Sequence, residues 1–288
     1  MIANPASRRA SGSRRKAERA FEAAGVHCET LVTERPGHAA LLAAEHARRF
    51  RAIFSLGGDG TAMEIVDALA HTGIPIGVLP GGTGNLIARS LGIPLSVERA
   101  VSALLAGSEA DIDLGAIDGG RRFAFAAGVG IDARMIEATP SALKRRFGVS
   151  AYMVAAVVAA LRHRVFAVRA EVDGEVVERQ ASAVLLANFG SVLNDLVTLG
   201  PGIARDDGRL DLCIFSPRTR RDALVIAWRL FRRDFRIDSR IFYRSGRRFR
   251  IDCPVPETYQ ADGEVLGLTP FSVTVDPLAA RLLVPRRG

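Results

Sequence analysis

The chain has 288 residues and a net charge of +8, and it is 48% hydrophobic and 6% aromatic. Its length predicts one large or two modest domains, and its apolar fraction is ample for a buried core. The positive charge favours anionic partners such as nucleotides, nucleic acid or an anionic membrane. Because the few aromatic residues form no stripe interleaved with basic ones, we expect no nucleic-acid partner.

The cysteines and the apolar runs indicate the cellular compartment of the protein. Cys28, Cys213 and Cys253 are widely spaced and odd in number, with neither a metal-binding spacing nor a disulfide framework. The longest apolar run, residues 149–161, is shorter than the roughly 20 residues that span a bilayer. No secretory signal is recognised, so a cytoplasmic protein is expected.

The first part of the chain alternates between strand and helix patterns. The predicted strands lie near residues 1–4, 26–33, 51–56 and 75–79. The predicted helices lie near residues 11–24, 38–49, 61–72 and 94–107. This order predicts a parallel sheet with helices on both faces.

After residue 114 the pattern changes to strands. They are predicted over residues 122–127, 166–172, 176–187, 210–216, 249–253, 258–261 and 271–275. Asp173-Gly174 is a hairpin signal, and two helices are predicted near residues 141–162 and 219–233. The predicted fold class is therefore α/β + β. An N-terminal parallel α/β nucleotide-binding domain over residues 1–116 precedes a mainly antiparallel β-sandwich domain over residues 117–277.

The sequence from Gly57 to Thr61, Gly-Gly-Asp-Gly-Thr, joins a predicted strand to a predicted helix. Glycine allows a ligand to approach the backbone closely, and the unpaired N–H groups of a helix start attract anions. This combination is typical of a phosphate site. Asp59 would repel a bare phosphate, so it indicates a magnesium ion that bridges it to a nucleotide. The alternative is a tight turn with an incidental aspartate.

A second glycine-rich loop, Pro80–Asn85, follows the next predicted strand. Because ligands bind at the carboxyl ends of the strands in open α/β sheets, both loops are predicted to face one site. Neither loop contains the Gly-Lys-Ser/Thr or Gly-x-Gly-x-x-Gly pattern, so Walker and Rossmann interpretations are weak.

Together the two loops resemble the diacylglycerol kinase catalytic domain family, which includes bacterial lipid kinases and the sphingosine and ceramide kinases. Further matches follow in family order at residues 4–7, 33–39, 128–133, 200–211 and 262–264. The first loop alone is shared with NAD kinases, whereas the ordered set is more specific. The resemblance also implies that residues 278–288 return to the first domain.

The resemblance implies ATP as phosphate donor and Mg²⁺ as cofactor. The implied ATP-binding residues are Asn4, Pro5, Ser7, Thr33, Gly57, Gly58, Asp59, Gly60, Thr61, Glu64, Gly82, Thr83, Gly84 and Asn85. Asp59 is also expected to be catalytic, through its magnesium ion. A structural Mg²⁺ is implied at Asp207 and the backbone carbonyls of Ala204 and Arg209, where the alternative is an ordinary turn.

Three more carboxylates are candidates for the chemistry. The resemblance assigns Glu264 as the general base, which must reach the acceptor hydroxyl directly or through one water. The alternative is a hairpin turn, since Asp-Gly is a common turn pair. Asp262 is assigned to magnesium or to orienting the site. Asp113 is assigned to the acceptor or the metal, or is simply a solvated carboxylate at a strand end.

Two positions depart from the family pattern. Leu86 stands where many bacterial diacylglycerol kinases have aspartate, and Ala62-Met63 replaces a frequent Leu/Ile-Asn pair. Sphingosine-type enzymes also have an apolar residue at the first position, so the acceptor lipid stays open.

An arginine-rich segment extends from Arg229 to Arg250. Against Asp234 and Asp238 it carries a net charge of +7, from arginines 229, 232, 233, 236, 240, 244, 247, 248 and 250. A solvated face is the usual explanation of such a run. The interleaved apolar residues favour a basic surface that binds an anionic membrane.

The sequence thus predicts an ATP-dependent lipid kinase that phosphorylates a hydroxyl of a membrane lipid such as diacylglycerol or a sphingoid base. It would be cytoplasmic and peripherally membrane-associated, and a homodimer is left open. The alternatives are an NAD kinase-like phosphotransferase and a non-catalytic nucleotide- or lipid-binding regulator.

Overall fold

The computed structural model describes residues 1–5, 10–118, 120–130, 165–192 and 197–286. The chain forms two compact units, the first from Met1–Leu114 with Pro277–Gly288 and the second from Gly115–Asp276. The sequence prediction divided the chain at residue 116 and returned it at 278. The predicted helix over residues 141–162 lies outside the described residues, as does Ser7.

The first unit is built on a parallel sheet. Its strands pair in the order β2-β1-β3-β4, where β1 is Ile2–Ala3, β2 is Leu31–Val32, β3 is Ile53–Gly57 and β4 is Ile76–Pro80. Every residue of β3 and β4 is buried, as expected for central parallel strands. The last strand, β18 (Phe271–Val284), joins β4 through Leu282.

Within the described part of this unit, five α-helices and a short 3-10 helix (Ala47–Arg49) accompany the sheet. The α-helices are α1 (Ala10–Ala23), α2 (His38–His46), α3 (Asp59–Ala68), α4 (Leu86–Ser90) and α5 (Val97–Leu105). Helix α1 packs against α5, and α2 packs against α3. Strand β5 (Ser108–Ile117) then leads into the second unit. Among the described residues, no helix is both long and apolar enough to cross a membrane.

The second unit contains antiparallel strands in two layers. One sheet has the order β14-β13-β10-β7-β16-β17, and in the other β18 pairs with β15, β15 with β8 and β8 with β9. Leu186 and Leu212 of the first layer share one buried cluster with Phe249 and Phe271 of the second. The bounds are β6 Arg122–Phe123, β7 Ala126–Val129, β8 Phe166–Val172, β9 Glu175–Ala181, β10 Ala183–Ala187, β11 Ser191–Val192, β12 Val197–Thr198, β13 Leu210–Phe215, α6 Arg220–Phe231, β14 Ile241–Gly246, β15 Arg248–Asp252, β16 Thr258–Ala261 and β17 Glu264–Leu268.

The predicted fold class is confirmed, with differences in individual elements. The predicted strand over residues 176–187 is two strands, β9 and β10, because the chain changes sheet at Ser182. Strand β14 was not predicted, and β18 continues beyond residue 275 because its far end pairs with β4. The Asp173-Gly174 hairpin is confirmed, with both residues at positive φ between β8 and β9.

Helix α6 begins at a reciprocal cap. The Thr219 hydroxyl accepts a hydrogen bond from the Asp222 N–H at 3.1 Å, and the Asp222 carboxylate accepts one from the Thr219 N–H at 3.0 Å. The Arg240 guanidinium donates to the same carboxylate at 2.6 Å. This hydrogen bond is the main reason that the pKa of Asp222 is lowered to about 2.

We predict that Asp222→Asn destabilises the protein in a pH-dependent way. Because the folded-state pKa is depressed from 3.8, the ionised group stabilises the fold above about pH 4, and this contribution is lost as the pH falls towards 2. The change should remove at most about 1 kcal/mol at pH 7, since the ion pair lies close to solvent. Thermal melts between pH 2 and 7 should show the difference from wild type shrinking with acid. A difference that does not depend on pH would contradict this explanation.

Candidate functional site

The two glycine loops touch each other through their backbones. Strands β3 and β4 are parallel neighbours, with Gly57 opposite Pro80, and each loop starts where its strand ends. The Gly81 N–H donates to the Gly57 carbonyl at 2.9 Å. The predicted meeting of the two loops at one edge of the sheet is therefore found in the structure.

Side chains are excluded from this contact. A Cβ on Gly82 would lie 2.6 Å from the Gly58 Cα, and a Cβ on Gly81 would lie 2.9 Å from the Gly57 nitrogen. Gly58 in the first loop has more room, because a Cβ on it would lie 3.8 Å from the nearest atom of the second loop. The loops thus form a continuous backbone surface on which Gly58 leaves room for an incoming group.

Asp59 connects the first loop to the helix after the second. It is the first residue of α3, it is partly buried, and its carboxylate accepts a hydrogen bond from the Ile87 N–H at 3.2 Å. Burial raises its pKa, and hydrogen bonds from backbone N–H groups of residues 85–87 oppose that rise. The group is therefore a carboxylate whose negative charge a nearby cation would stabilise.

Asn85 fixes the shape of the second loop. It is buried and lies in the left-handed region with φ 50°. Its side-chain oxygen accepts from the Gly82 N–H at 2.9 Å, and its side-chain nitrogen donates to the Gly82 carbonyl at 3.0 Å. These bonds hold Gly82 in a set turn and leave Thr83 exposed at the tip, and the Arg89 guanidinium donates to the Gly84 carbonyl at 2.9 Å.

Asn4 and Thr61 tie β1 to the start of α3. The Asn4 side chain donates to the buried Thr61 hydroxyl at 3.0 Å, and the Asn4 N–H donates to the Leu56 carbonyl at 2.9 Å. A Cβ on Gly57 would lie 2.7 Å from the Thr61 side chain, so glycine is needed there. Pro5 follows in an exposed turn, and Gly60 lies in the first turn of α3.

The structure also positions two other residues that were predicted to bind the nucleotide. Both Glu64 carboxylate oxygens accept backbone hydrogen bonds at the start of α2, from Gly37 at 2.9 Å and Ala39 at 3.1 Å. Thr33 is buried directly after β2. Contact of these residues with a nucleotide stays a prediction.

In the second unit, Asp262 and Gly263 form the turn between β16 and β17, both at positive φ. The Asp262 carboxylate accepts hydrogen bonds from three consecutive N–H groups, those of Ala124, Phe125 and Ala126, at 2.8, 2.9 and 3.0 Å. Of its two predicted roles, this geometry favours orienting the turn over binding magnesium.

Glu264 lies directly after that turn, at the start of the edge strand β17, and is exposed. Its carboxylate forms an ion pair with Arg121. Because this carboxylate is exposed, a hydroxyl group could approach it within hydrogen-bond reach, which a general base requires. Sequence reasoning missed Arg121, since no local pattern connects positions 121 and 264.

The predicted structural-metal turn holds two nearby carboxylates. Asp207 accepts a hydrogen bond from the Arg209 N–H at 3.0 Å, and the Arg209 guanidinium donates to Ser245. Burial, followed by repulsion from Asp207, raises the pKa of Asp211 to about 6. A hard cation would offset this repulsion, so the residues fit the predicted site at Asp207, Ala204 and Arg209. Sequence reasoning did not propose Asp211 for this site, and metal binding here stays a prediction.

Asp113 has a structural partner. It is fully buried, and its carboxylate accepts a hydrogen bond from the Leu278 N–H at 2.8 Å, where Leu278 is at positive φ. The alternative of a solvated carboxylate is therefore wrong, and the side chain holds the returning C-terminal segment.

The first unit fits a magnesium–nucleotide complex. Mg²⁺ is commonly held by one or two carboxylates together with substrate phosphates, and Asp59 beside the glycine surface supplies one carboxylate. Within the described ranges, no group of three or more His, Cys, Asp or Glu side chains could hold a metal ion. Asp59 would therefore supply the carboxylate ligand, and nucleotide phosphates could supply others.

We predict that Gly82→Ala and Gly58→Ala separate folding from nucleotide binding. The added methyl of Gly82→Ala meets backbone at 2.6 Å and should lower the melting temperature. Gly58→Ala has room in the protein, so its melting temperature should stay unchanged while it obstructs an approaching phosphate. Thermal melts with and without Mg·ATP measure both effects. An unaltered nucleotide response in Gly58→Ala would contradict phosphate binding at this surface.

Comparison with known proteins gives two family matches. The model described as "Diacylglycerol kinase catalytic domain" matches residues 1–117, and that described as "YegS C-terminal NAD kinase beta sandwich-like domain" matches residues 126–284. A Bacillus subtilis protein named "Diacylglycerol kinase" is 31% identical over 254 residues, which are 87% of this chain and 83% of that protein.

Two further likenesses extend these matches. "Uncharacterized protein sll0036" of Synechocystis sp. is 29% identical over 237 residues, 81% of this chain, and the chain spans about half (54%) of that relative's length. A crystal structure of a Bacillus anthracis diacylglycerol kinase superposes with a TM-score of 0.76 at 21% identity, covering 98% of this chain and 95% of the other. The structural likeness shows the fold, and the family matches confirm the resemblance and the predicted enzyme class.

Proposed function

Because the chain belongs to the diacylglycerol kinase family, we propose that it is an ATP-dependent lipid kinase that phosphorylates a hydroxyl of a membrane lipid. Diacylglycerol and a sphingoid base are the candidate acceptors. The observation that carries the proposal is the side-chain-free surface of Gly57–Gly58 and Gly81–Gly82, with Asp59 at its border. Phosphoryl transfer depends mainly on positioning and charge stabilisation, and such a surface provides both for a triphosphate.

Each residue has a definite task in this proposal. Backbone N–H groups of the two loops other than those of Gly81 and Gly82 bind the triphosphate, and Asn85 keeps the second loop in shape. Asp59 would hold Mg²⁺, which neutralises phosphate charge when it is bound. Glu264 accepts the proton of the lipid hydroxyl. The hydroxyl oxygen bonds to the γ-phosphorus of ATP as the bond from that phosphorus to ADP breaks.

The surroundings of Glu264 support its role as base. Its carboxylate is exposed and pairs with Arg121, and Asp262 holds the turn in front of it by three backbone hydrogen bonds. The proposal requires this carboxylate to reach the hydroxyl that attacks the phosphate bound by the first unit. A peripheral membrane location follows from the acceptor, because the lipid lies in a bilayer.

The two alternatives predict different outcomes of an activity assay. An NAD kinase-like enzyme would phosphorylate NAD, and a non-catalytic regulator would bind nucleotide or lipid without turnover. Incubation with γ-labelled ATP and diacylglycerol, sphingosine, ceramide, phosphatidylglycerol or NAD, with the products resolved, separates the three. Labelled lipid supports the proposal, whereas labelled NAD alone or no product overturns it.

We predict that Glu264→Gln slows catalysis and leaves nucleotide binding intact. Glutamine keeps the size of the side chain but does not accept the proton, and general-base catalysis contributes about 10²–10⁴-fold. We expect kcat to fall by that factor while Mg·ATP affinity, measured by calorimetry, changes less than about threefold. Normal turnover would make Glu264 a turn residue. A parallel loss of affinity and rate would make it a ligand of the nucleotide metal.

We predict that Asp59→Asn abolishes activity without destabilising the fold. Asparagine retains an acceptor for the Ile87 N–H and removes a charge whose burial is unfavourable, so the melting temperature should be equal or higher. Loss of the magnesium ligand should reduce kcat about 100-fold or more. The stabilisation of the protein by Mg·ATP should also shrink. Asp67→Asn in the same helix is the control, and an equal effect of both variants would contradict the role of Asp59.

A further inference from the structure

Helix α6 shows apolar residues on both of its faces. On the inner face, Ile226 is buried and Leu230 packs with it against the cluster formed by β10 and β13. On the outer face, Leu224 is 39%, Val225 41% and Trp228 52% exposed. An isolated exposed apolar residue is ordinary. Three neighbouring ones, of which one is a tryptophan, form a patch that indicates a binding surface.

Arginines lie at both ends of this apolar patch. Positions 221, 224, 225, 228 and 232 fall on one side of a helix by their spacing. Arg221 and Arg232 are exposed, and the Arg232 guanidinium lies 6.0 Å from the centroid of the Trp228 ring. We call the five residues the α6 outer face. It joins three apolar side chains to two positive charges.

Several other arginines of the arginine-rich segment are less available to lipid head groups than the sequence suggested. Arg229 is buried and pairs with Asp234 and Asp238. Arg240 pairs with Asp222 and Asp238, Arg236 with Asp234, and Arg244 with Glu175. The predicted membrane surface is therefore revised, because these four of the nine arginines between Arg229 and Arg250 pair with carboxylates of the protein.

The composition of the α6 outer face identifies its partner. A helix with a tryptophan, aliphatic residues and flanking arginines suits the boundary between lipid head groups and acyl chains. The arginines complement anionic head groups, in keeping with the net charge of +8. An apolar protein partner would match the three apolar residues but not the charges on either side of them.

We propose that the α6 outer face docks the protein on an anionic lipid bilayer, with Trp228 at the level of the head groups. This deepens the proposed function, since a kinase that acts on a bilayer lipid must reach the bilayer. Docking is nevertheless measured as binding, without turnover.

The chain provides its own probe, because Trp228 is its single tryptophan. Emission of the wild-type protein should shift to shorter wavelength on adding phosphatidylglycerol vesicles, and acrylamide should quench it less. Lipids with brominated acyl chains should quench it. Phosphatidylcholine vesicles, or high salt, should largely prevent these changes because exposed charges are then not attracted.

Two variants separate the charges from the apolar residues. Arg221→Ser with Arg232→Ser should weaken vesicle binding about 30-fold and reduce its salt dependence, because each basic residue near the surface contributes about fivefold. Leu224→Ser with Val225→Ser should weaken binding without changing the salt dependence. Controls in the first unit are Arg48→Ser with Arg51→Ser and the exposed Leu41→Ser, which should bind like wild type.

Other outcomes would overturn the proposal. Vesicle binding with unchanged Trp228 emission would place the contact on another surface. An emission shift that follows protein concentration without vesicles, with a dimer in sedimentation, would make this face a contact between copies. No binding to anionic vesicles would exclude docking, whereas turnover of a short-chain soluble acceptor would show that the kinase function still holds. Vesicle binding without any kinase activity would support docking and overturn only the proposed function.

Discussion

The backbone contact between Gly57–Gly58 and Gly81–Gly82 is the constraint on which the first unit depends. Because no side chain fits between the loops, the ends of β3 and β4 come close enough for the Gly81 N–H to bond the Gly57 carbonyl. This closeness brings Asp59 within reach of the Ile87 N–H at the start of α4. A larger residue at Gly81 or Gly82 would meet the backbone of the first loop and push the two loops apart.

In the second unit, two neighbouring carboxylates have different surroundings. Asp262 uses its carboxylate for three backbone hydrogen bonds, which fix the turn, while Glu264 stays exposed with only an arginine described as its ion-pair partner. Both units thus share one arrangement: a hydrogen-bonded side chain holds a loop, and the carboxylate that we propose for the chemistry lies nearby. Asn85 has the holding role in the first unit.

Features set by local chemistry could be predicted from the sequence, and those set by distant partners could not. The glycine loops and the Asp173-Gly174 hairpin depend on backbone conformations that nearby residues specify. The strand change at Ser182 and the pair of Arg121 with Glu264 depend on residues far along the chain. Asp113 shows the same limit, because its partner Leu278 is 165 positions away.

Strand β18 belongs to both units, since residues 271–275 pair in the second while Leu282 pairs with β4 in the first. The first unit is therefore discontinuous in sequence, although the catalytic-domain match ends at residue 117. A fragment ending there would leave β4 without this neighbour and expose unpaired backbone groups, which invite edge-to-edge aggregation. A chimaera that exchanges the first unit must therefore carry both of its chain segments.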